Sequence, residues 1–165
     1  MRVLFIKKTT LFIIIGILIV VSSFAINMSG LEVGQTYFAV SNRKLPIYSV
    51  QTDENKLAIS FDAAWGADKT REIMSICDSY GVKATFFLVG FWVDEYPDMV
   101  REIYNNGFEI GIHSNTHPDM TKLSRKEMIE ELETNILKIE TITGVRPKLF
   151  RPPYGYYNNT LIEVC

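Results

Sequence analysis

Cysteine is nearly absent. The 165 residues hold two, Cys77 and Cys165, in no CxxC spacing, which excludes a disulfide framework. Cys77 falls in a helical stretch and reads as a small core residue. An excess of positive charge is missing as well: 17 Lys and Arg against 19 Asp and Glu give a net charge of -2. No basic patch or charged tail is present, so nucleic acid is not an expected partner. Repeats at solenoid or propeller periods and low-complexity segments are absent too. Histidine is as rare as cysteine, with His113 and His117 the only two. What remains, 47% hydrophobic and 22% charged residues, is the composition of a folded chain with room for one domain plus extras.

Long apolar runs are confined to the start. Arg2, Lys7 and Lys8 precede an uncharged stretch over 9–31, close to the roughly 20 residues a membrane-crossing helix needs. Residues 1–31 therefore read as a membrane anchor or signal segment. The basic flank predicts a cytoplasmic N-terminus and contact with the membrane through 9–31. A cleaved signal is the competing reading, since Ser23-Phe24-Ala25 offers small residues at a peptidase spacing. Either way the rest of the chain is expected to be extracytoplasmic. Residues 32–56 turn polar around two β-like pieces, 36–40 and 47–50, which predict a stalk or small hairpin.

From 57 to 165 strand-like and helix-like stretches alternate. Strands are expected over 57–61, 84–89, 108–112 and 148–150. Between them lie three helices. The first starts near Asp68, carries Ile73, Ile76, Cys77 and Tyr80 on one face and stops at Gly81. The second opens at Pro97, with Val100, Ile103 and Tyr104 sharing a face. The third follows the capping box Ser124-Arg125-Lys126-Glu127 and repeats Ile129, Leu132, Ile136, Ile139 and Ile142 up to Gly144. This order predicts an α/β fold with a parallel sheet or barrel.

That topology sends Asp62, His113 and Arg151 to the C-terminal ends of strands, where α/β proteins collect functional groups. Two imidazoles four residues apart on a strand-end loop can hold one cation. A carboxylate beside them can take a proton from bound water, and a guanidinium can orient that carboxylate. These residue types point to a metal-assisted hydrolase.

Phe61-Asp62-Ala63-Ala64-Trp65-Gly66, His113-Ser114-Asn115-Thr116-His117 and Arg151-Pro152-Pro153-Tyr154-Gly155, in that order, resemble the first three motifs of the polysaccharide deacetylase family. The strand at Ala84-Thr85-Phe86-Phe87 matches as well, and Ala-Ala-Trp-Gly is similar to the branch linked to spore formation. The resemblance implies a distorted (β/α) barrel that removes N-acetyl groups from cell-wall glycan, peptidoglycan or chitin-like, with a divalent metal, often zinc. It implies Asp62 as general base, His113 and His117 as metal ligands, Arg151 as the partner of Asp62, and the Tyr154 backbone N–H as a donor to the oxyanion.

Two departures accompany it. The family's first motif places a second aspartate, the third metal ligand, directly after the base, and here that residue is Ala63. A nearby carboxylate such as Asp68, or a substrate group, could complete the shell. The chain also stops ten residues after Gly155, so the family's later motifs, with a histidine that protonates the leaving amine, have no counterpart. The expectation is a domain incomplete at its C-terminus, impaired or inactive as a hydrolase. Its barrel edge and apolar interior are expected to be uncovered and its stability low. The competing functions are a glycan-binding protein without catalysis, using Trp65, Trp92 and Tyr154 as flat apolar faces, and a non-functional gene fragment. Trp92, directly after a strand, is expected in the core.

Overall fold

The computed structural model describes residues 8–41 and 43–165, without the side chains of residues 23 and 26–41. The chain divides into two units, Met1–Arg43 and Lys44–Cys165. In the first unit one helix, α1, runs Lys8–Ser41, and its apolar residues Phe12, Leu18 and Phe24 are exposed. Among the described residues no helix is long and apolar enough to cross a membrane. Arg2 and Lys7 of the basic flank lie outside the described residues, as do the side chains of 26–31. The strand expected over 36–40 does not form, because those residues continue α1. Strand preference is weak without a neighbouring strand to receive the side chains, whereas a helix already nucleated extends residue by residue.

The second unit carries the β-α alternation. Residues 47–50 adopt no regular structure, so the expected hairpin is absent. Strands β1 (Ser60–Ala63), β2 (Thr85–Leu88) and β3 (Glu109–Ile112) form one parallel sheet in that order. Their register aligns Asp62 with Phe87 and Phe87 with Gly111. β1 begins later than expected because Leu57 stands on the surface, 81% exposed. The fourth expected strand shrinks to one parallel bridge between Phe150 and Ile112. Pro147 and Pro152 bracket it, and neither has an N–H to extend the ladder.

Five helices complete this unit: α2 (Thr70–Ser79), α3 (Gly90–Glu95), α4 (Pro97–Asn105), α5 (Arg125–Thr143) and α6 (Asn159–Val164), of which α4 and α5 pack against β3 and α3 and α6 against α5. α5 starts at the capping box, where the Glu127 carboxylate accepts from the Ser124 N–H at 2.7 Å. It stops at Gly144, whose φ of 74° is the left-handed conformation that glycine adopts without a Cβ clash. α3 and α6 have no counterpart in the periodicity, being too short to show one. The expected faces hold in large part, with Cys77, Val100, Ile103, Leu132 and Ile139 buried and Ile73, Ile136 and Ile142 packed against the core, and with exceptions at their edges. Met74 and Cys77 are buried on α2 while Ile76 and Tyr80 are exposed, and α5 buries Met128, Leu132, Asn135 and Ile139 while Ile129 is exposed. Trp92 is fully buried, its indole N–H donating to the Gly66 carbonyl at 2.7 Å. Beside the Ile112–Phe150 bridge an apolar groove of about 790 Å³ opens between Phe87, Leu132, Phe150 and Leu161.

Candidate active site

The parallel topology delivers the polar groups to one end of the sheet. Asp62 lies near the end of β1, His113 directly follows β3, and Arg151 follows the residue bridged to β3. His117 sits on the loop after His113, and Tyr154 lies in the short 3-10 turn Pro153–Gly155. With Trp65 these five residues line one cleft of about 470 Å³. All five residues singled out from the sequence are thus brought together.

Arg151 divides its guanidinium between two acceptors. One nitrogen donates to Asp62 Oδ1 at 2.7 Å and another to Ser60 Oγ at 2.6 Å. The plane also lies over the Phe87 ring, 4.2 Å from its centroid. A charge-assisted bond, a hydroxyl and an aromatic face together hold the arginine more firmly than a lone surface pair. The pair is partly exposed, at 36% and 42%, so its stabilisation stays on the order of 1 kcal/mol. Ser60 and Phe87 were not singled out from the sequence. Both lie on strands and look like ordinary strand residues until the register sets them against the arginine.

His113 is buried, 4% exposed. Its Nδ1 lies 2.7 Å from the Arg151 carbonyl oxygen. A carbonyl only accepts, so Nδ1 carries the proton and Nε2 presents its lone pair, the tautomer of a histidine ready to ligate. Burial lowers the pKa of His113 below its ordinary 6.5, more than the Arg151 carbonyl and the Asp62 charge raise it. The folded protein therefore resists protonating this ring, and the unfolded chain takes up more protons as pH falls through 6.5. Its contribution to stability is complete above that value and declines below it. Urea unfolding at about pH 7.5 and about pH 5 should show a smaller loss of stability in His113→Asn than in the wild type. An equal loss in both would remove this ring as a source.

The His117 ring stands edge-on to both His113, centroids 5.0 Å apart, and Tyr154, 4.9 Å apart. Ser114, His117 and Tyr154 have φ values of 64°, 61° and 59°. Left-handed backbone at a residue with a Cβ costs about 1–3 kcal/mol and persists only where surrounding contacts enforce it. Two of the three, His117 and Tyr154, line the cleft, and Ser114 directly follows His113.

The donor set does not fit a three-ligand metal site. Among the described residues no three His, Cys, Asp or Glu side chains converge to hold a cation. Ala63 packs at the edge of the core and its methyl cannot ligate, while its neighbours Asp62 and Ala64 line the cleft. Asp68 does not complete the shell either: it lines a separate cavity with Arg71, Glu95 and Tyr96. Two imidazoles remain, one fewer protein ligand than catalytic zinc ordinarily has.

Parallel strands bring a carboxylate–arginine pair and two histidines into one α/β cleft. The chain belongs to the polysaccharide deacetylase family, whose profile matches residues 49–165. It is 38% identical over 120 residues to the uncharacterized protein YlxY of Bacillus subtilis, covering 73% of this chain and 38% of that protein. With the peptidoglycan-N-acetylmuramic acid deacetylase PdaC of B. subtilis it shares 36% identity over 113 residues, 68% of this chain and 24% of PdaC. The chain thus spans less than half the length of these relatives. Among solved structures, a CE4 family pseudoenzyme from Bacillus anthracis superposes with a TM-score of 0.70 at 32% identity, covering 73% of this chain and 43% of that one. A mutant of that pseudoenzyme, described as having restored enzymatic activity, gives 0.70 at 34% identity, covering 73% of this chain and 44% of that one.

Proposed function

We propose that this chain recognises an N-acetylated cell-wall glycan, of the peptidoglycan or chitin-like class, through a deacetylase-type cleft that does not turn the glycan over. The observation that carries this reading is the cleft itself, where the Asp62–Arg151 pair and both histidines meet; the family resemblance assigns the third metal ligand to position 63, which here is alanine. The names of the relatives favour the same substrate class, and the pseudoenzyme neighbour shows that the fold exists without activity. The sheet and its bridge are then one segment of a distorted (β/α) barrel. The apolar stretch over 9–31 and its basic flank support an extracytoplasmic domain held at the membrane by an N-terminal anchor.

Glycan recognition rests on exposed aromatic faces. Trp65, 82% exposed, stands over Phe91 with centroids 5.3 Å apart, and Tyr154 and Tyr156 form a second pair at 5.7 Å. Rings this exposed contribute little to folding and offer apolar faces to the C–H side of a sugar. Trp92, which the sequence also left open for this role, is removed from it by burial. Trp65→Ala should weaken binding of a chitooligosaccharide about 30-fold, the effect of losing roughly 2 kcal/mol at an aromatic anchor. Calorimetric titration checks this, and unchanged affinity would take Trp65 out of the binding surface.

A further inference from the structure

The loop between the two histidines is held from α5, one helix turn apart at each contact. Glu131 Oε2 accepts from the backbone N–H groups of Asn115 and Thr116, both at 2.8 Å, and its Oε1 accepts from the Thr116 hydroxyl at 2.6 Å. Asn135, fully buried, donates from Nδ2 to the carbonyls of Ser114 and Leu88, both at 2.7 Å. Lys138 Nζ donates to Asn115 Oδ1 at 2.8 Å and to Asp94 at 2.6 Å. The spacing of four and then three residues puts all three on one stripe of the helix. From the other side, the N–H groups of Gly90 and Phe91 donate to the carbonyls of Ser114 and Asn115.

This is more hydrogen bonding than a surface loop needs, and it converges on the residues bracketed by the left-handed Ser114 and His117. Asn135 Oδ1 is buried without a partner. A polar side chain kept in the core with one half unsatisfied implies that its other half does something a leucine cannot. Here that half fixes the ends of β2 and of the His113 segment relative to each other.

We propose that Glu131 and Asn135 are positioning residues for the histidine pair, with Glu131 setting the loop conformation that turns the His117 ring toward His113 and Tyr154. Neither lines the cleft; both act through residues 114–116, by their backbone and by the Thr116 hydroxyl. The inference concerns the loop and stands whether or not the cleft binds glycan. Its link to recognition rests on the function proposed above.

With only two histidines in the chain, their ring protons are assigned in the full chain by His113→Gln and His117→Gln. Glu131→Met keeps side-chain length and removes both acceptors, and should abolish the His117–Tyr154 ring cross-peak while His113 keeps its Nδ1–H tautomer. Glu131→Gln, which retains one accepting oxygen for both N–H groups, should restore the cross-peak. An intact cross-peak in Glu131→Met would overturn the proposal, as would its loss in both variants, which would show a charge effect and not a positioning one. Hydrogen exchange in the unaltered chain gives a reading independent of variant folding: the Asn115 and Thr116 amides should be protected, and free exchange there would equally overturn it. Chitooligosaccharide titration of the wild type reports separately on the function, since a wild type that ignores glycan removes that reading and leaves the loop result standing.

Discussion

Ala63→Asp should raise the affinity of the histidine pair for zinc by more than ~100-fold, beyond the most that an outer-shell partner of a metal ligand is worth. The reasoning is additive in ligands. His113 already holds the ligating tautomer through the Arg151 carbonyl, and burial keeps its ring neutral at physiological pH. His117 stands beside it with ring centroids 5.0 Å apart. On the proposed reading the missing element is a third, anionic donor at the end of β1, and aspartate supplies one of the chemistry zinc accepts. Competition against a chelator of known affinity measures the gain, and His117→Ala in the Ala63→Asp background should erase it. Equal zinc affinity in wild type and Ala63→Asp would mean that position 63 cannot reach the histidines and that the defect lies elsewhere.

A second large effect is expected at Gly90. A Cβ built there overlaps Asn115 Oδ1 and comes within 2.9 Å of the Asn115 Cα. The backbone atom cannot swing aside as a side chain can, so the β2–α3 junction and the histidine loop must separate. Overpacking of this kind costs about 1–3 kcal/mol. Losing the hydrogen bond from the Gly90 N–H to the Ser114 carbonyl adds about 1 kcal/mol. Gly90→Ala should therefore destabilise the domain by about 3 kcal/mol, read as a lower denaturant midpoint at unchanged slope. A midpoint within error of the wild type would show that the loop yields easily and that its conformation is not enforced.

Much of this is legible in the sequence. The capping box at Ser124, the left-handed stop at Gly144 and the alternation from Ser60 onward follow from local chemistry, and local chemistry is what a single sequence displays. Parallel topology sent Asp62, His113 and Arg151 to one end of the sheet, and the motif resemblance added His117 and Tyr154 from the loops beside them. Supporting residues were harder to see. Glu131 and Lys138 look like solvated helix charges, and Asn135 like a break in an apolar stripe, until α5 is laid against the loop they hold. The strand expected over 36–40 failed because β-branched and aromatic residues favour strands only in a sheet, and here they continue a helix. Asp68 looked available as a ligand because it is near Asp62 in sequence, yet the chain turns it into another cavity.

On the proposed function this cleft binds N-acetylated glycan without hydrolysing it, for want of a third metal ligand. Acetate release and glycan binding measured on one preparation, with zinc added, test it most directly. The expected result is saturable binding of a chitooligosaccharide or peptidoglycan fragment that does not depend on the metal, with acetate no higher than in Asp62→Asn. Clear acetate release by the wild type, abolished by Asp62→Asn, would contradict it and make the chain an enzyme that works with two histidines alone.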